Sequence, residues 1–270
     1  MSDKPAERVG RRTFLGRAAM TAGAAGLAPN LVTAPLVATP ARAASAPAAA
    51  PTGLTTRLAQ YASALRYEDI PADVKQRIKY TVIDTVAVIL YGSQLPWSQK
   101  VIAHAKKTGP NGKSAILGGG GVNVQAPSAA LAHGTLAHAF ELDNLTDPNS
   151  GTHPGAANFS GGLAISQERG LSGRDLMLAM TAGSEVMIRI GLASLGSLEP
   201  RGFHAPGTTG PFGGAITGGK LMQLDPERMT YALGIAGSLS SGLLEFAHSK
   251  SGGMVKKLHL GRAAESGVLA

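Results

Sequence analysis

The sequence predicts an all-α fold, a compact bundle of tightly packed helices, and three observations carry that expectation. Apolar residues recur at helical spacing, as in Val74, Ile78 and Val82, with Lys75, Arg77 and Lys79 on the remaining face. Helix-start chemistry recurs too: Ser172 has Asp175 three residues on, and Asp225 is followed by Pro226. The helical stretches are lined with Gly, Ala and Ser, 36 of the 270 residues being Gly, and small side chains let helix axes approach closely. The glycines show no three-residue period, which excludes a collagen-like chain.

Taken in order, residues 54–65 read as a short helix. Pro71 opens a second that continues through the apolar stretch 82–91 and stops near Gly92. Residues 109–124 form a Gly-rich, hairpin-like connection, with 114–117 as its one strand candidate. Pro127 starts a helix carrying Leu131, Leu136 and Phe140, and a loop follows over 143–154. Residues 155–168 are helical and stop at Gly170; the Ser172–Asp175 capping box then launches a long helix to near Gly196. A loop over 199–210 precedes a small-residue helix ending at Leu221, and Asp225 as N-cap launches another over 229–244.

Composition excludes several classes of function. Without cysteine there is no disulfide scaffold, thiol nucleophile, Cys-ligated zinc or iron–sulfur cluster in this sequence. The net charge of +8 is half concentrated in residues 1–43, where Lys4, Arg8, Arg11, Arg12, Arg17 and Arg42 face only Asp3 and Glu7. The remainder carries 19 basic and 15 acidic residues and few aromatics to stack bases, so no nucleic-acid partner is expected. No run approaches the ~18 consecutive apolar residues of a membrane-spanning helix, and no membrane association is expected once the leader is removed.

That leader is residues 1–43, a basic start, an apolar stretch and the small-residue site Ala41-Arg42-Ala43. Arg11-Arg12-Thr13-Phe14-Leu15 resembles a twin-arginine export signal, which implies periplasmic or secreted delivery of a folded chain. Residues 44–53 read as an Ala/Pro-rich spacer, and 54–270 as the functional domain.

Several motifs fail on spacing. Gly112-Lys113-Ser114 ends like a phosphate loop, but Lys107 stands where its first Gly belongs. There is no G-x-S-x-G elbow. His133 and His138 are five apart, about 140° around a helix, so they do not form an i, i+4 metal pair and read as packing or supporting residues. Three segments survive, read as loop clusters next to helix ends: 141–155, containing Asp143, Thr146, Thr152 and His153; 201–209, containing His204; and 254–261, containing Lys256 and His259. An acid, several groups titrating near neutrality and a cation are the mixture that acid–base chemistry on a polycarboxylate needs.

The segments His138-Ala-Phe-Glu-Leu-Asp143, Thr152-His-Pro-Gly155, Gly202-Phe-His-Ala-Pro206 and Lys256-Lys-Leu-His-Leu-Gly-Arg-Ala-Ala264 together resemble the MmgE/PrpD family, from about Leu54 to the end. The resemblance implies an all-helical domain with a smaller α+β lid, a homodimer, and metal- and cofactor-free lyase chemistry on small di- or tricarboxylates, as in 2-methylcitrate dehydratase and cis-aconitate decarboxylase. It assigns catalytic roles to Asp143, His153, His204 and Lys256: His153 and His204 for proton transfer, Asp143 for orientation, Lys256 for gripping a carboxylate. Thr146, Thr152 and His259 become candidate substrate contacts. Where the family shows D-x-D-D-T, this chain has Asp143-Asn-Leu-Thr-Asp147. The family also continues beyond Ala270 through the lid, so the expectation is a domain largely lacking it. The rival expectation is an inactive remnant that keeps the helical, dimer-forming half.

Export through the twin-arginine route predicts that changing Arg11 and Arg12 to Lys traps the precursor in the cytoplasm, with cleavage after Ala43 in the wild type; fractionation and N-terminal sequencing check this. Normal delivery of the Lys-Lys variant would exclude that route.

Overall fold

The computed structural model describes residues 53–146 and 151–270. The expected signal and spacer up to residue 52, and Asp147, lie outside the described residues. Among the described residues there are nine α-helices and one two-stranded ribbon. They are α1 (Leu54–Ala64), α2 (Ala72–Gly92), α3 (Pro96–Thr108), β1 (Ser114–Ala115), β2 (Asn123–Val124), α4 (Ala126–Ala137), α5 (Ser160–Arg169), α6 (Gly173–Ala193), α7 (Ala205–Leu221), α8 (Pro226–Leu239) and α9 (Gly253–Leu269). The all-α expectation holds.

The local signals act as expected at most boundaries. Ser172 and Asp175 exchange capping bonds at the start of α6, Asp225 accepts from the Arg228 N–H at the start of α8, and Gly170 ends α5 with φ 67°. The stretch 82–91 is helical, as its continuity with Val74–Val82 requires. The two strands pair antiparallel, Ser114 opposite Val124.

Four readings are corrected. Helix α3 was missed altogether, although Pro96 in its first turn, Lys106 and Lys107 in its last, and Gly109 at its C-cap are ordinary helix signals. Helix α7 begins at Ala205, inside the expected loop, with His204 as its N-cap. Helix α8 ends at Leu239 rather than Leu244, because the chain turns at Ser240 to pair Phe203 with Leu243. Residues 254–261 are the first turns of α9 and not a loop.

Helix α6 is, by length and composition, apolar enough to cross a membrane, and half of that window is buried inside the fold. A search for unbroken apolar runs passes over it because Arg174, Asp175, Glu185 and Arg189 interrupt it.

The core rests on close helix approach. Helix α9 lies against both α4 and α7. A Cβ on Gly134 of α4 would come within 2.6 Å of the Leu260 carbonyl oxygen, and one on Gly214 of α7 within 3.0 Å of the Gly267 Cα. Bulkier residues there would push α9 outward. Leu136, Ile89, Phe159 and Leu260 fill the main core beside them. This packing brings the start of α9 beside the end of α4 and the start of α7, where the predicted site residues lie.

Candidate active site

The site is assembled from one tight turn and the starts of three helices. The turn leaves α4 at its C-cap His138 and reaches Asp143 in five residues. It is held from outside by Trp97 of α3, whose Nε1–H donates to the Ala139 carbonyl at 3.2 Å. Glu141 sits within it at φ 64°, a left-handed conformation that costs a non-glycine residue of the order of 1 kcal/mol.

Asp143 is buried, and each carboxylate oxygen takes one imidazole: Oδ1 lies 2.8 Å from His138 Nδ1 and Oδ2 2.9 Å from His153 Nδ1. Burial alone pushes this carboxyl up, but the hydrogen bonds from His138 and His153, with their charges, outweigh it and hold Asp143 below the usual carboxylate range. An ionised carboxylate only accepts, so both rings carry the proton on Nδ1 and present an Nε2 lone pair. For His153, whose side chain is 15% exposed, that lone pair is accessible to a ligand. His138 Nε2 is buried without a partner.

Asn144 fixes the next step of the loop. Its amide donates to Asp84 Oδ2 at 2.7 Å and to Thr85 Oγ1 at 3.1 Å on α2, while its Oδ1 accepts the Gly155 N–H at 2.9 Å. Thr146 N–H donates to the Thr152 carbonyl at 3.1 Å and brings the chain back. His153 therefore stands immediately before the helical run that opens at Pro154 and passes through the π-helical turn Gly155–Phe159 into α5.

His204 comes from the opposite side as N-cap of α7. Its backbone N–H donates to the Gly242 carbonyl at 2.9 Å, and its Nδ1 lies 3.0 Å from Nδ1 of His259 on α9. One of those nitrogens must donate and the other accept, so the two rings take opposite tautomers. Gly242, at φ 122°, turns there with its Cα close enough that an added Cβ would stand 3.3 Å from His259 Nδ1. Burial pushes His204 down, and the charges of His259, His138, Lys256 and His153 add to that, leaving it at about 3. His259 is lowered by burial and then by His138.

The two halves meet. Ring centroids of His138 and His153 are 4.9 Å apart and those of His138 and His204 6.4 Å, while Phe246 packs edge-on to His204 at 5.2 Å. Lys256 is near enough for its charge to act on His204, and its Nζ is 2.6 Å from Glu141 Oε2. Lys257 pairs with the other Glu141 oxygen. Of the residues expected from sequence, Asp143, His153, His204, His259 and Lys256 are brought together. Thr146 and Thr152 form the adjoining backbone bridge, where Thr152 is buried and Thr146 lines a separate cavity of about 450 Å³ with Asp84, Asn144 and Pro154.

His138 takes the supporting role of the two that the sequence reading left open, its buried ring bonded to Asp143 within this cluster. Its partner in that reading, His133, is indeed a packing residue: its Nε2 accepts the Leu117 N–H at 2.9 Å, and burial lowers it to about 4. The five-residue spacing that excluded a His133–His138 pair concealed the pairing of His138 with Asp143, formed across the turn after the helix ends. Asn144, Glu141, Lys257 and Phe246 carried no separate signal. Potential metal-ligating atoms of His138, Asp143 and His153 lie within 4.8 Å of one another, and a bound cation would have to replace both hydrogen bonds to Asp143.

The comparison with known proteins matches residues 56–270 to the MmgE/PrpD N-terminal domain. The chain belongs to the MmgE/PrpD family. A cis-aconitate decarboxylase of Aspergillus terreus is 34% identical over 230 residues, covering 83% of this chain and 46% of that protein. A cis-aconitate decarboxylase-like protein, oryM, of Aspergillus oryzae is 30% identical over 229 residues, 80% of this chain and 45% of that protein. The chain thus spans about half the length of these MmgE/PrpD relatives.

The lowered histidines predict how stability depends on pH. His133 and His204 titrate at about 4 and about 3 in the fold and near 6.5 when unfolded. Above 6.5 both states hold them neutral. Below it the unfolded chain takes up protons first, so stability falls with pH, His133 alone contributing a loss of roughly 2 kcal/mol by pH 5. Asp143 adds nothing in that window, since it is ionised in both states. Urea midpoints at pH 7 and pH 5 check this, and equal midpoints would contradict it.

Proposed function

We propose that this domain forms one wall of a lyase site for a small di- or tricarboxylate, with cis-aconitate as the leading substrate and decarboxylation as the leading reaction. The observation that carries the reading is the convergence of two N-terminal helix ends, each bearing a histidine, with Lys256 on the first turns of a third helix. Helix N-termini carry partial positive charge and favour anions, and a lysine adds a full charge beside them. The similarity to the cis-aconitate decarboxylases supports the choice of substrate.

In decarboxylation the breaking C–C bond leaves its electron pair on the substrate as carbon dioxide departs, and a carbon must then receive a proton. With its Nδ1–H held by Asp143, His153 presents Nε2 to the substrate and is the proton carrier: Nε2 takes a proton from solvent and passes it to the carbon, which restores the neutral ring. His204, kept neutral by its surroundings, accepts hydrogen bonds or takes a proton from the substrate. Lys256 grips a carboxylate that stays on the substrate and holds the developing charge in place. Dehydration uses the same groups, with the proton removed from carbon and delivered to the leaving hydroxyl. A homodimer with a separate lid, working in the periplasm after twin-arginine export, completes the proposal, with no cofactor or metal assigned to it.

If these groups form one anion site, cis-aconitate raises the melting temperature of the folded chain by mass action. Lys256→Ala removes most of that protection, because losing one charge-assisted contact weakens binding by one to two decades, about 1.5–3 kcal/mol. Thermal shift against ligand concentration measures it, with His248→Ala, on the exposed stretch before α9, as the control that keeps the response. Equal protection of wild type and Lys256→Ala would move the carboxylate contact elsewhere.

A further inference from the structure

We propose that Lys256 and Lys257 form a carboxylate subsite which Glu141 fills from within the chain, and that an incoming substrate carboxylate takes the subsite by displacing Glu141. The inference rests on the polycarboxylate reading and adds to it a second cation and an internal competitor.

Both carboxylate oxygens of Glu141 are engaged, one by each lysine, across 115 and 116 residues of sequence. The two ammonium groups are thus held in the spacing that one carboxylate spans. Pairing with Lys256 and Lys257 outweighs the burial that would raise Glu141 and holds it at about 2, so it remains a full anion at any working pH. The pair borders the reacting groups: Glu141 is two residues before Asp143, and the charge of Lys256 is felt at His204.

The turn is also built to release it. Glu141 occupies a left-handed conformation; the turn is anchored before it, by Phe140 on the core and Trp97 on the Ala139 carbonyl, while Leu142 and Leu145 after it are 68% and 62% exposed. Its side chain is 40% exposed and can swing into water, where the charge is solvated at little cost. An ion pair that must be broken is replaced in kind only by another anion, so the exchange favours carboxylates over neutral analogues of the same shape. The site therefore discriminates by charge before any chemistry starts.

The test compares wild type, Glu141→Gln and Glu141→Gly by calorimetry at low ionic strength, with cis-aconitate and with succinate as a simple dicarboxylate. Acetic anhydride labelling of Lys256 and Lys257, read by mass spectrometry, runs on the same proteins. The Gly variant suits φ 64° and guards against misfolding of the turn. Both variants are expected to bind cis-aconitate roughly threefold to tenfold more tightly than wild type. Their two lysines should label several-fold faster, and saturating cis-aconitate should protect those lysines in all three proteins. Tighter binding of succinate by the variants, without any preference for cis-aconitate, would sustain the displacement while removing the substrate assignment. Unchanged or weaker binding of both anions in both variants would overturn the proposal and make Glu141 a structural brace, and so would failure of all three proteins to bind either anion.

Discussion

Everything at the candidate site depends on a buried carboxylate that has been given two imidazole N–H donors. An ionised Asp143 left unpaired would cost several kcal/mol, so the turn from His138 to Asp143 and the loop to His153 are constrained to deliver one donor to each oxygen. That requirement fixes two tautomers and leaves the Nε2 lone pair of His153 for a ligand. The surrounding contacts serve the same geometry: Trp97 on the turn's backbone, Asn144 tying the loop to α2 and to the start of the following helix.

Such a pairing becomes a site only if other groups stand opposite it, and the small-residue core supplies that closeness. With Gly134 against Leu260 and Gly214 against Gly267, α9 lies tight on α4 and α7, and its first turns carry Lys256 and His259 to the edge of the histidine cluster. Packing therefore sets electrostatics. Burial, with the charges of its neighbours added, keeps His204 neutral, while the single carboxylate of Glu141 pairs with both lysines and leaves one positive charge over. A bulky residue at Gly134 would push on the Leu260 backbone and open the cluster without touching any of its side chains.

Much of this was legible in the sequence, for reasons that differ from residue to residue. Helix periodicity and caps are local, so α2, α6 and the start of α8 could be read directly. His153 and His204 stood out beside Pro and Gly next to helix ends, Asp143 and Lys256 as the acid and cation of the neighbouring polar segments, and the family resemblance supplied the roles of all four. The supporting role of His138 was one of two readings, but its partner was hidden because Asp143 lies across a turn, where helical geometry no longer applies. The loop reading of 254–261 failed since Gly252 and Gly253 look like a break, whereas they are the N-cap and first residue of a helix that runs to Leu269. Glu141 and Lys257 were invisible: their pairing spans 116 residues and exists only once α9 is docked.

The bridging role of Asp143 sets the protonation pattern around it, which nitrogen-15 NMR of histidine-labelled protein at pH 7 reads directly. The expected result is Nδ1–H tautomers for His138 and His153, with His204 and His259 in opposite tautomers. In Asp143→Asn the amide offers one acceptor and one donor, so one of the first two rings should switch to Nε2–H. An Nε2–H tautomer at His138 or His153 in the wild type, or no switch in the variant, would contradict the bridging carboxylate.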